Sequence, residues 1–232
     1  DVSHELRTPL TVISGYLEML GDADLNPGIR RAVKQMGEQG DRMKSLVNDL
    51  LHLSKLESNN AGTGSQWFEF QPLCAISIDQ LKAYIPTSLT GEKLLGAEIH
   101  CDCISDIEVF GFADEMSSVL SNLITNAIKY GRKEGQAAQV NISIQNTHGG
   151  VEISVSDKGE GIASSHLAHL TERFYRVDES RESTVGGSGL GLAIVRHALE
   201  HHDAPLKIES TLGLGSRFSF IIPAERIRHK QN

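Results

Sequence analysis

Leu6, Leu10, Ile13, Leu17 and Leu20 step by four, three, four and three residues. That heptad-like spacing places all five on one stripe of a single helix. The segment from Gly21 to Gly28, GDADLNPG, reads as a turn. A second helix is expected from about Ile29 to Glu57, with Met36, Met43 and Leu50 in one register and Val33, Leu46, Val47 and Leu53 beside it. Two helices with narrow seams and a short connection make an antiparallel hairpin. Such a hairpin buries little alone, so a dimeric four-helix bundle is expected, the alternative being a hairpin packed on the rest of its own chain.

The pattern changes after Ser58 to Gln66, SNNAGTGSQ, which is polar and aperiodic and reads as a linker. Strands are expected at Trp67–Phe70, Ile107–Gly111, Val140–Gln145, Val151–Ser156, Leu206–Ser210 and Arg217–Ile222, and helices at Pro72–Ile85, Asp114–Tyr130 and Leu190–His201. Short Gly-containing turns between the late strands indicate an α+β layer rather than a βαβ array. The chain thus divides into a helical hairpin (residues 1–57), a linker (58–66) and an α+β domain (67–232).

With 232 residues, 39% hydrophobic and 22% charged, composition excludes disorder. A net charge of −8 argues against a global grip on nucleic acid. No apolar run approaches the ~20 residues of a membrane-spanning helix. Three cysteines argue against a disulfide framework, and Cys101 and Cys103, on one face of an expected strand, read as reduced and structural. Helical periodicity starting almost at Asp1 suggests that an upstream portion is missing.

Two glycine clusters carry the next constraint: Asp157-Lys-Gly159-Glu-Gly161 and Gly186-Gly187-Ser-Gly189-Leu-Gly191-Leu. The second is no P-loop, because no Lys-Ser or Lys-Thr closes it. It is no Rossmann fingerprint either, since the third glycine position falls on Leu192 or Ile194. What remains is a glycine-rich turn feeding a helix, where backbone N–H groups and the helix N-terminus can approach phosphate.

The helix Asp114–Tyr130 supplies complementary chemistry. Asn122, Asn126, Lys129 and Tyr130 share one polar stripe, opposite Leu120, Leu123, Ile124, Ala127 and Ile128. An Asn carbonyl oxygen suits Mg²⁺, a Lys suits phosphate, and a Tyr ring can cover a base. His197/His201 and His166/His169 have helical spacings but no HExxH and no third ligand nearby, so no zinc motif is read there.

Together these segments resemble the cytoplasmic core of a bacterial two-component sensor histidine kinase. Ser3-His4-Glu5-Leu6-Arg7-Thr8-Pro9 is similar to the phosphoacceptor H box, and Asn122-Leu-Ile-Thr-Asn126-Ala-Ile-Lys129-Tyr130 to the N box. Asp157-Lys-Gly159-Glu-Gly161 resembles the first glycine box and Arg173-Phe174-Tyr175-Arg176-Val-Asp178 the F box. Gly187-Ser-Gly189-Leu-Gly191-Leu matches the second glycine box and Gly213-Leu-Gly215-Ser216 a third. Six such boxes in order are highly specific, and their wording is most similar to the phosphate-regulon branch of the family.

The resemblance implies an all-α dimerisation and phosphotransfer hairpin followed by a Bergerat-type ATP-binding α+β sandwich. It implies ATP and Mg²⁺ as ligands, a homodimer, and the receiver domain of a response regulator, of phosphate-regulon type, as partner. It places Mg²⁺ on Asn126, the triphosphate near Asn122 and Lys129, and the adenine on Tyr130 and Asp157. Gly159 and Gly161 would let the backbone close on the nucleotide, Gly187, Gly189 and Gly191 would line the phosphates, and Arg176 would stabilise transferred charge. His4 would be the phosphoacceptor and Glu5 its base, and Glu5-x-x-Thr8 matches the family's phosphatase pattern. An upstream membrane anchor is also implied, with this chain on the cytoplasmic side of a bacterial inner membrane.

The residues themselves fit that assignment of His4. It lies roughly opposite the apolar seam, so its imidazole points outward. Thr8 follows one turn later, and Pro9 lacks the N–H that would bond the Glu5 carbonyl, loosening the helix beside His4.

Overall fold

A computed structural model describes residues 10–17, 20, 26–58, 64–84, 97–103, 106–133, 136–177 and 188–229. His4, Glu5, Thr8 and Gly187 lie outside the described residues. Helix α1 occupies residues 10–17, and α2 runs Pro27–Glu57. Asn26 caps α2, its Oδ1 accepting the Ile29 N–H at 2.9 Å, and Pro27 follows in the first turn where its missing N–H costs nothing.

Two sheets follow. Strands β1 (Gln66–Glu69), β3 (Ile107–Gly111) and β8 (Ile227–His229) form a small antiparallel sheet in the order β1-β3-β8. The main sheet has the order β2-β4-β5-β7-β6, from β2 (Ala97–Cys103), β4 (Ala138–Thr147), β5 (Gly150–Asp157), β6 (Lys207–Thr211) and β7 (Gly215–Pro223). All neighbours are antiparallel except β2 and β4. Along β4 the side chains alternate, with Val140, Ile142 and Ile144 buried and Asn141 and Gln145 exposed, as expected of a sheet with one covered face.

That face is covered by α3 (Phe70–Tyr84), α4 (Ala113–Tyr130) and α6 (Gly191–Glu200), with a short α5 at Ser164–Leu167. Met116, Leu120, Leu123 and Ile124 of α4 meet Ile142, Ile153 and Phe220 of the sheet in one core. The expected α+β layer is therefore observed. Phe70 begins α3 instead of ending β1, and β8 and α5 were not expected, being only three and four residues long.

One expectation fails at the cysteines: Cys101 is disulfide-bonded, whereas Cys74 is a free, buried thiol that burial pushes up to about 11. An odd cysteine count excludes a framework in which every cysteine is paired, but not a single bridge.

Helix α2 has two contrasting faces. Leu53 and Leu56 are buried in the core of the α+β domain, packed toward α6. Ile29, Met36, Met43 and Leu50, seven residues apart, remain 44–54% exposed. Helix α2 thus packs on the α+β domain at one end and leaves its apolar stripe open.

Candidate nucleotide-binding site

A cleft of about 580 Å³ opens at the edge of the sheet where α4, the end of β5 and the start of α6 meet. Its volume lies in the range of small-molecule sites. Asn122, Asn126, Lys129 and Tyr130 all line it, because the apolar side of α4 is held on the sheet and turns the polar stripe outward. The stripe ends at Gly131, whose N–H bonds the Ala127 carbonyl at 2.8 Å. Asn122 donates from Nδ2 to the Ser118 carbonyl at 2.9 Å. The Asn126 side chain makes no hydrogen bond among the described residues, so its amide oxygen is available to a ligand in the cleft.

Asp157 ends β5 and faces the same cleft. Its Oδ1 accepts the Gly159 N–H at 2.8 Å. Burial raises the Asp157 pKa from its ordinary value, while backbone N–H groups of Gly159 and Ser216 pull the other way and favour the carboxylate. Burial likewise lowers the pKa of Lys129, offset by the attraction of Asp49 and assisted by repulsion from Arg176.

The glycines divide into two roles. Gly161, Gly189 and Gly191 line the cleft. Gly189 has φ +70°, and a Cβ there would lie 2.8 Å from the Phe174 backbone. Gly159 sits beside the cleft rather than in its wall. A Cβ at Gly159 would come within 2.2 Å of the Tyr130 carbonyl oxygen, so this glycine lets the β5 end lie against the α4 end and holds Asp157 through its N–H. Its demand comes from the protein's own backbone.

Arg176 lines the cleft from the segment after α5. Beside it Tyr175 bonds His166 through its hydroxyl, 2.6 Å from Nδ1, and both residues belong to the wall. Ser45 and Asp49 of α2 also belong to it. The sequence reading missed these four residues. In sequence His166 shows only its helical spacing to His169 and Tyr175 only its place in the F box, neither of which points to the cleft wall, and nothing local to α2 shows that its far end meets the cleft.

Amides, cations, an aromatic ring and a half-buried carboxylate in one cleft suit a ligand with a polyphosphate and a hydrogen-bonding base. The comparisons with known proteins agree. Residues 1–59 match the His Kinase A (phospho-acceptor) domain, and residues 111–226 match the histidine kinase-, DNA gyrase B-, and HSP90-like ATPase family. The chain is 43% identical over 224 residues to the phosphate regulon sensor protein PhoR of Pseudomonas aeruginosa, covering 94% of this chain and 48% of that protein. It is 41% identical over 233 residues to PhoR of Haemophilus influenzae, covering 100% of this chain and 52% of that protein. The chain therefore spans about half the length of these relatives. The solved structure of full-length ShkA in complex with AMPPNP aligns with a TM-score of 0.74 at 27% identity, over 100% of this chain and 46% of that one. The histidine kinase AdeS of Acinetobacter baumannii shares the fold, with a TM-score of 0.60 at 23% identity over 95% of this chain and 98% of that one. By sequence and by fold, this chain belongs to the histidine kinase family, with the phospho-acceptor segment preceding the ATPase domain.

Proposed function

We propose that the chain binds ATP in the cleft, transfers its γ-phosphoryl group to His4, and passes it to an aspartate on the receiver domain of a response regulator. The observation that carries this reading is the meeting of Asn122, Asn126, Lys129 and Tyr130 with Asp157 and Arg176 in one cleft. Lys129 and Asn122 face the triphosphate, Tyr130 covers the adenine, and Asp157 accepts from its amino group. The cleft-lining glycines leave room for the phosphates, and Arg176 balances charge on the transferred group. The hard amide oxygen of Asn126 fits Mg²⁺, which when bound neutralises phosphate charge. In the transfer the His4 imidazole forms the N–P bond, ADP leaves, and Glu5 takes the imidazole proton.

The likeness to two PhoR proteins supports phosphate-responsive signalling, with the hairpin dimerised and the chain on the cytoplasmic side of a membrane anchor. The Glu5-x-x-Thr8 spacing supports a phosphatase activity toward the regulator, in which the Thr8 hydroxyl orients the attacking water. Incubation with labelled ATP tests the proposal: acid-labile, base-stable label on His4 is expected, and His4→Gln should bind ATP and take no label. Asn126→Ala should abolish labelling with the dimer intact, and Thr8→Ala should slow loss of label from the regulator more than labelling of His4. Free phosphate without labelled His4 would mean an ATPase instead, and neither would mean a scaffold.

A further inference from the structure

Helix α2 reaches the nucleotide cleft as well as the core. Ser45 and Asp49 stand in its wall, and Leu53, Leu56 and Glu57 follow on the same face at helical spacing. Leu53 and Leu56 are buried against the α+β domain. Glu57 bonds the Arg173 guanidinium and lies 3.3 Å from His197 Nε2 of α6. Arg173 is three residues before Arg176, so α2 grips the segment that carries a cation of the cleft.

Asp49 is the acidic residue that α2 contributes to this wall. The same wall holds Lys129, which Asp49 attracts, and Arg176. A triphosphate seated on those cations would bring several negative charges into the space that Asp49 borders. Like charges sharing a half-buried site repel, and one of them must withdraw.

We propose that Asp49 is an autoinhibitory counter-charge: α2 docked by Leu53, Leu56 and Glu57 lends its carboxylate to the cations of the cleft, so that phosphate binding and α2 docking oppose one another. The inference rests on the nucleotide reading above. Reciprocity follows, since whatever α2 docking costs the nucleotide, the nucleotide costs the docking. A displacement of α2 along or about its axis would thereby change nucleotide affinity with no change in the α+β domain itself.

The test titrates a non-hydrolysable ATP analogue and adenosine against the full chain and its Asp49→Asn and Glu57→Gln variants. Asp49→Asn, nearly isosteric, should bind the analogue about three- to tenfold more tightly, with a gain that shrinks at high salt. Its adenosine affinity should be unchanged, because the effect acts on phosphate. Glu57→Gln keeps the Asp49 charge but loosens the grip on Arg173, and it should give a smaller gain in the same direction. An Asp49→Asn variant that binds the analogue no better than wild type overturns the proposal, and so does an equal gain for adenosine, which would mean relief of crowding. Wild-type chain that binds neither ligand overturns the nucleotide reading itself and this inference with it.

Discussion

His202 is fully buried at the end of α6, and its two ring nitrogens have different duties. Nε2 accepts the Phe112 N–H at 3.0 Å, and Nδ1 donates to the Ala198 carbonyl at 2.7 Å. The neutral ring is thereby specified, because a proton on Nε2 would point at another donor. Burial lowers its pKa from 6.5 and outweighs the Ala198 carbonyl and Glu115, while Arg226 and His201 push the same way as burial. His52 is lowered for the same main reason. In the unfolded chain both rings take up protons near pH 6.5, whereas in the folded chain they do so only at lower pH. The unfolded state therefore binds more protons on acidification, and stability present above pH 6.5 is lost as the pH falls through the folded values. His202→Gln should flatten that acid limb and also lower stability at pH 7.5 by about 1–3 kcal/mol, since the Phe112 N–H loses its acceptor. Urea unfolding at pH 7.5 and 5.5 checks both effects, and an unchanged slope between the two pH values would contradict the first.

Elements in this chain work through opposed faces. On α4 the apolar side fixes the helix to the sheet, and the polar side becomes the wall of the cleft. On α2 the split runs along the length as well as around the axis, with an open stripe at Ile29, Met36, Met43 and Leu50 and a core contact at Leu53 and Leu56. Leu53 is only 1% exposed although it lies before the linker. Leu53→Ala should therefore lower the stability of the α+β domain by about 2–5 kcal/mol, the cost of a buried leucine truncated in a packed core. Calorimetry of the domain's unfolding transition measures this. A transition that does not move would show that the end of α2 is no part of that core.

At the scale of the whole molecule, α1 exposes Ile13 and Tyr16 as α2 exposes its apolar stripe. Apolar residues repeating at seven-residue intervals are suited to the seam of a helical bundle, and the proposed dimer would cover them. Met43→Glu should weaken dimerisation at least tenfold. By symmetry it removes two apolar side chains from the seam and places two carboxylates in their stead. Light scattering across a concentration series reads the change, and nucleotide affinity should stay near wild type because Met43 lies away from the cleft. A variant still dimeric at low micromolar concentration would place the seam elsewhere.

Local periodicity and motif wording were enough to read the hairpin, the polar stripe of α4 and the strand-rich second half. Each of these depends on residues a few positions apart, where helix and strand geometry alone set which side chains share a face. Asn122, Asn126, Lys129 and Tyr130 could be grouped for that reason, and Asp157 joined them through the motif that follows it. Tertiary structure decided the rest. Gly159 serves the approach of two backbones that lie 29 residues apart in sequence, at Tyr130 and Gly159. Asp49 enters the cleft, Glu57 bonds Arg173, and His202 accepts from Phe112, each through a contact distant in the chain. No spacing rule encodes such contacts, because they exist only once the helices have been laid on the sheet and their burial has fixed which ends meet.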